Sequence, residues 1–216
     1  MKKANQFGET VEGYNIPVLN EREIRAAAGI LFFFTFLSFM FIIFKANFLM
    51  IKYVITIFMT DFLIRVFISP KFAPTLVIGR LIVSRQTPEY VGAAQKKFSW
   101  IIGVVLSVAM FVLMVLINSY SIITGLICLT CLIFLFFESV FGICLGCLFY
   151  NMFYKEKAQH CPGEICEIKD KHEIQKVTLL QILVVLAMAA VVVLLVFLFN
   201  DYFSVKPHAL FGTGNI

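Results

Sequence analysis

The sequence predicts an all-α fold: a polytopic transmembrane helical bundle of five spans with its N-terminus in the cytoplasm. Three observations predict it. Of 216 residues, 61% are hydrophobic and only 14% charged, against roughly 25% charged in an ordinary soluble domain. Several apolar runs reach the ~20 residues a helix needs to cross the hydrocarbon. Lysines and arginines concentrate in alternate connections, as the positive-inside rule requires.

The elements follow in order. A polar arm (residues 1–23) precedes the first span, about Ile24 to Phe44, whose apolar run exceeds the ~7–15 residues of a signal h-region and reads as a retained anchor. The second, about Phe48 to Ile68, carries Lys52, Asp61 and Arg65. SPKFAP, with two prolines, breaks it. LVIGRLIVSR within the connection 69–98 then suggests a short interfacial helix lying among headgroups, with a re-entrant piece as the alternative. Trp100 and the basic Lys96 and Lys97 suit the interface before span three, Ser99 to Ile117. Span four starts near Ser121 and can continue as one helix to Tyr150. A cysteine-containing loop (155–177), a fifth span (178–199, with Gln181 as its polar residue) and an outer tail (200–216) complete the chain. The runs lack the alternation of barrel strands.

Fourteen Lys and Arg fall on the side of the N-terminal arm and two, Lys45 and Lys206, on the other. This puts the N-terminus in the cytoplasm and the C-terminus outside. The net charge of +5 therefore reads as topology and contact with an anionic lipid bilayer, not as a nucleic-acid footprint. Lys52 reads as a snorkelling residue at the outer boundary.

All six cysteines lie within 39 consecutive residues, in three close pairs. Cys128 and Cys131 sit in apolar surroundings, where thiols are inert and pack. Cys144 and Cys147, in FESVFGICLGCLFY, have the spacing in which one thiol attacks and the other resolves a mixed disulfide. Gly146 would leave room for a sulfur-bearing partner. Cys161 and Cys166 belong to the polar loop and could relay exchange to the aqueous side. With His172 they also make a conceivable zinc set, although no metal is assigned. Packing remains open for every pair.

Glu138, deep in span four, needs a partner or a proton. Asp61 and Arg65, four apart, can pair on span two, and the expectation is an ion network of Asp61, Arg65 and Glu138 clamping spans two and four, with a proton site at Glu138 as the alternative. Gly142 and Gly146 form a small-xxx-small pair for helix packing. On one continuous helix Glu138 and the 144/147 thiols point apart; they meet only if the helix bends near Gly142.

No Walker loop, dinucleotide fingerprint, zincin motif or nucleophile elbow occurs, and no cofactor is assigned. The segments DFLIRVFISPKFAPT, QKKFSWIIG and FESVFGICLGCLFY make the chain, over about residues 24–154, similar to a bacterial integral membrane family of unknown function, domain of unknown function 4395. The resemblance implies a four-span core with Asp61, Arg65, Glu138, Cys144 and Cys147 as motif positions, and the later loop and span as an extension. The leading functional expectation is a thiol–disulfide or sulfane-sulfur relay with a thioredoxin-like or rhodanese-like cytoplasmic partner. A soft-metal or small-solute transporter or chaperone, and a non-catalytic scaffold with packing cysteines, are the alternatives.

Overall fold

The structure is a computed structural model that describes residues 7–11, 14, 16–147 and 177–209. A short strand β1 (Val18–Asn20) leads into α1 (Glu21–Lys45). Asn20 caps α1, its side chain accepting from the Arg22 N–H at 3.2 Å, and Glu21 and Glu23 place negative charge in the first turn, where the helix dipole favours it. One face of α1 (Ile24, Ala27, Ala28, Leu31, Thr35, Ser38) is buried at i, i+3, i+4 spacing. Ala46, left-handed with φ 47°, stops the helix.

Helix α2 (Leu49–Leu63) runs on through a π-helical turn (Ile64–Ile68) to Pro70. The short helix α3 (Pro74–Ile82) packs on α1, and there Gly79 is needed: a Cβ would stand 2.6 Å from the Glu23 carbonyl oxygen. Strand β2 (Tyr90–Gly92) pairs antiparallel with β1, Val18 opposite Gly92 and Asn20 opposite Tyr90. This ribbon sets the first turn of α4 (Ala93–Phe111) beside the first turn of α1. Gly103 of α4 receives the ring of Phe62, which stacks on Phe58.

Helix α4 is extended by a π-helical stretch (Val112–Leu116), and α5 (Ile122–Phe136) ends in another (Phe137–Phe141). A capping box between Ser121 and Thr124 starts α5. The last helix, α6 (Leu179–Ser204), is capped by Thr178. It buries only Gln181 and Phe203, near its two ends. At one end the Gln181 amide donates to the Lys71 carbonyl at 3.0 Å; at the other the Tyr202 hydroxyl donates to the Val115 carbonyl at 2.8 Å. Strands β3 (Ser119–Tyr120) and β4 (His208–Ala209) pair in parallel beside the second contact.

The protein is an all-α membrane bundle. Four of the described helices are long and apolar enough to cross a bilayer, covering Glu21–Lys45, Ala93–Leu116, Ile122–Phe141 and Leu179–Ser204. The stretch 49–68 spans about 30 Å at ~1.5 Å per residue but carries Lys52, Asp61 and Arg65.

Three sequence expectations are corrected. Span four does not continue to Tyr150 as one helix: it stops at Phe141, because Gly142 turns left-handed with φ 69°. Lys52 does not snorkel. It is 1% exposed, and its ammonium donates to the Asn118 side chain and the Val205 carbonyl, both at 2.7 Å, closing the end of the bundle opposite the β1–β2 ribbon. Lys96 is not an interfacial residue before span three but a buried member of α4's first turn.

Candidate functional site

The end of the bundle at the β1–β2 ribbon concentrates buried charge. Because β1 and β2 align the starts of α1 and α4, Glu21 and Lys96 meet there. The Lys96 ammonium lies 2.8 Å from one Glu21 carboxylate oxygen and 3.1 Å from the other. It also lies 2.8 Å from Glu138, brought in by the last turn of α5. The side chains of Lys96 and Glu21 are 1% and 2% exposed and that of Glu138 13%. A buried charge is tolerated when paired and hydrogen-bonded; three helices supply this set.

Gly142 then reverses the chain. Its left-handed conformation suits glycine. A Cβ there would stand 3.2 Å from the guanidinium of Arg25, which donates to the Val140 carbonyl at 3.1 Å and satisfies the end of α5. After this turn Cys144 and Cys147 return toward α4, with the Cys147 N–H donating to the Cys144 carbonyl at 2.9 Å. Gly146 packs directly on Ser99, one turn beyond Lys96 on the same face of α4. Both thiols are free and buried.

The Cys144 sulfur accepts from the Cys147 thiol, lies within electrostatic reach of Lys96 and accepts from the Ser99 hydroxyl. These partners hold the Cys144 thiol down to about 7, the Cys147 hydrogen bond contributing most and burial opposing it. Cys147 is pushed far up, chiefly because its proton is held on Cys144. The two sulfurs are thus unequal: one is the more acidic and the other keeps its proton.

A second cluster stands apart. Arg65 donates to Asp61 at 2.7 Å and to the Thr75 hydroxyl at 2.6 Å, and that hydroxyl donates to Asp61 at 2.7 Å. The other Asp61 oxygen accepts the Thr75 backbone N–H at 2.9 Å. Pro74 opens α3, and its N-cap Ala73 has no side-chain acceptor, so Asp61 supplies the cap from α2. The Arg65 guanidinium also lies over the rings of Phe62 and Trp100, at 4.6 and 5.2 Å. Asp61, Arg65 and Thr75 are all hydrogen-bonded to one another, and the cluster clamps α3 to α2. A third pairing, Arg80 with Glu23 at 3.1 Å, clamps α3 to α1.

Glu138 thus belongs with Lys96 and Glu21, not in the expected network with Asp61 and Arg65. Gly142 and Gly146 do not form a helix-packing stripe: one faces Arg25 and the other Ser99. The room Gly146 leaves is filled by Ser99. Cys161, Cys166 and His172 lie outside the described residues. Among the described residues no group of three or more His, Cys, Asp and Glu is arranged to hold a metal ion. Cys128 and Cys131 line a cavity of about 30 Å³ at mid-bundle, together with Thr35, Ser107 and Met110. The sequence reading missed Glu21, Lys96, Ser99 and Thr75. The signals were present: an acid directly after a capping Asn, and Lys96, Ser99 and Trp100 at i, i+3 and i+4.

The model of the family described as domain of unknown function 4395 matches residues 19–155, more than half of the chain. The chain belongs to this family. The matched region of this domain of unknown function 4395 protein contains both ionic clusters and the dithiol, and leaves α6 outside it. No curated protein and no solved structure matches the chain.

Proposed function

We propose that the protein exchanges thiols for disulfides at the membrane, with Cys144 as nucleophile and Cys147 as resolving thiol. The observation that carries this reading is the setting of Cys144: a neighbouring thiol and a serine hydroxyl donate to its sulfur, and a buried ammonium stands within reach. A thiol kept for packing needs none of these.

The Cys144 thiolate attacks one sulfur of a partner disulfide, forms a mixed disulfide and releases the partner's other sulfur as a thiolate. Cys147, losing its proton, attacks the Cys144 sulfur and releases the second partner thiolate. Two electrons pass to the partner, whose two thiolates take up the two protons given up by the pair. A sulfane-sulfur donor enters by the same first step, leaving a persulfide on Cys144. The excess of Lys and Arg on the side of the N-terminal arm supports a cytoplasmic site in a bacterial inner membrane. A thioredoxin-like or rhodanese-like protein there is the fitting partner, with Cys161 and Cys166 as the relay toward it.

The test replaces Cys147 by Ser in cells, so that the mixed disulfide on Cys144 cannot resolve. A disulfide-linked adduct is expected on non-reducing gels, absent when Cys144 is also Ser. No adduct, with the protein correctly in the membrane, refutes exchange. Stoichiometric copper or zinc on the purified protein, lost in Cys144→Ser, would replace it by metal ligation.

A further inference from the structure

Sulfur also collects at mid-bundle, away from the 144/147 pair. Met110 of α4 and Met114 of its π-helical extension pack with Cys128 of α5 in one buried cluster. Met110, Cys128 and Cys131 line the mid-bundle cavity of about 30 Å³. Cys128 and Cys131 are neighbours on one face of α5, near the middle of the span Ile122–Phe141. Both thiols are free; Cys128 is buried and Cys131 half-buried. The lining decides what such a space can hold. Its two hydroxyl residues, Thr35 and Ser107, donate to carbonyls of their own helices at 2.7 and 3.0 Å. A water needs ~10–15 Å³ of such room and several polar partners, which this lining does not offer. The cavity is therefore dry and sized for a small ion. Among the described residues no carboxylate or imidazole lines it, so a hard cation finds no ligand there. Thiol and thioether sulfur are soft donors, and soft donors select Cu(I).

We propose that Cys128, Cys131 and Met110 form a buried Cu(I) site, separate from the exchange pair. On binding, a copper–sulfur bond forms at one of the two cysteines, its S–H bond breaks and the proton passes to water. The metal keeps its oxidation state. One positive charge replaces another, so the site stays neutral inside the membrane, where a net charge is costly. The Met110 thioether and the second cysteine sulfur complete the soft shell without adding charge. Zn(II) would have to displace both protons and would still lack the rest of its tetrahedral ligand set. Apolar surroundings keep a thiol protonated and unreactive toward alkylation, but they do not exclude an ion that takes the proton's place. The inference does not depend on the exchange reading.

The experiment uses the full-length protein in oxygen-free lipid nanodiscs, with Cys144, Cys147, Cys161 and Cys166 all replaced by Ser. Cu(I) is supplied alone and then competed with the chelator bicinchoninate. Equimolar copper should survive the competition, and its X-ray absorption should show sulfur neighbours without nitrogen or oxygen. Cys128→Ser and Cys131→Ser should each lose the copper, and Cys131→Met, which restores a soft donor, should recover part of it. Met110→Leu, close in volume, should yield its copper at lower chelator concentration. Zn(II) supplied in the same way should wash out. Copper retained equally in Cys131→Ser, nitrogen or oxygen ligands in the spectrum, or zinc held as firmly as copper overturns the inference. Should Cys128→Ser fail to assemble, Cys131→Ser and Cys131→Met decide alone. Should the serine-substituted background fail to assemble, the same Cys131 variants are compared in the parent. Copper held by the parent but not by the background belongs to the other cysteines and sinks this inference, while adduct trapping on Cys144 judges the exchange reading separately.

Discussion

Cys128/Cys131 and Cys144/Cys147 share one spacing and opposite surroundings. The first pair sits within α5 and lines a small apolar cavity together with Thr35 and Ser107. The hydroxyls of Thr35 and Ser107 are committed to the Leu31 and Val104 carbonyls of their own helices. The second pair follows a break in the helix and faces an ammonium and a donating hydroxyl. A Cys-x2-Cys motif therefore says little by itself. What separates the settings of the two pairs is whether the backbone leaves the helix and which groups the return brings into reach.

The comparison can be broken most directly at Gly142. Gly142→Ala strains a left-handed residue by about 1–2 kcal/mol and presses a methyl on Arg25. If α5 then runs on, Cys144 turns away from Lys96 and the second pair comes to resemble the first. Site-resolved alkylation of Cys144 at neutral pH should fall by more than about tenfold, and an unchanged rate would show that the turn is not what activates the thiol.

Acidity is the next lever. With its value lowered to about 7, Cys144 should alkylate roughly tenfold faster at about pH 8 than at about pH 6 and then level off, while Cys128 and Cys131 stay unlabelled throughout. The same depression adds stability above the unfolded thiol's value, and this is lost as the pH falls through about 7. A Cys144 profile still climbing steeply past about pH 8 would remove the distinction.

Smaller effects sharpen it further. Ser99→Ala deletes one hydrogen bond to the sulfur, worth about 1 kcal/mol, or roughly fivefold in thiolate-dependent rate. Cys128→Ala should leave Cys144 reactivity untouched and only enlarge the cavity, costing about 1 kcal/mol of stability by denaturation in detergent. Any change in Cys144 reactivity from Cys128→Ala would couple two pairs that the structure keeps separate.

The bundle was legible because lipid imposes long apolar runs, and Asp61 with Arg65 was legible because four-residue spacing is a local signal. The consequence of a bend at Gly142 could be stated from helical geometry, but whether α5 bends there is decided by Arg25, which lies 115 residues from the Val140 it caps. Lys96 misled for a related reason. Next to Lys97 and Trp100 it has the composition of an interfacial flank, and only the β1–β2 ribbon carries it inside, opposite an acid that reads as part of a polar arm. Lys52 was misjudged similarly, since its partners Asn118 and Val205 stand 66 and 153 residues away.

The two buried ionic clusters also differ in when they can close during synthesis. Asp61 and Arg65 neutralise one another within a single nascent segment, so that segment can enter lipid with its charges already matched. Lys96 has no such companion: its acceptors lie 75 residues before it and 42 after. Its cation is fully matched only when the helix ending at Phe141 arrives, so the charged surroundings of Cys144 are complete only at the end of core assembly, and a chain stalled earlier lacks them.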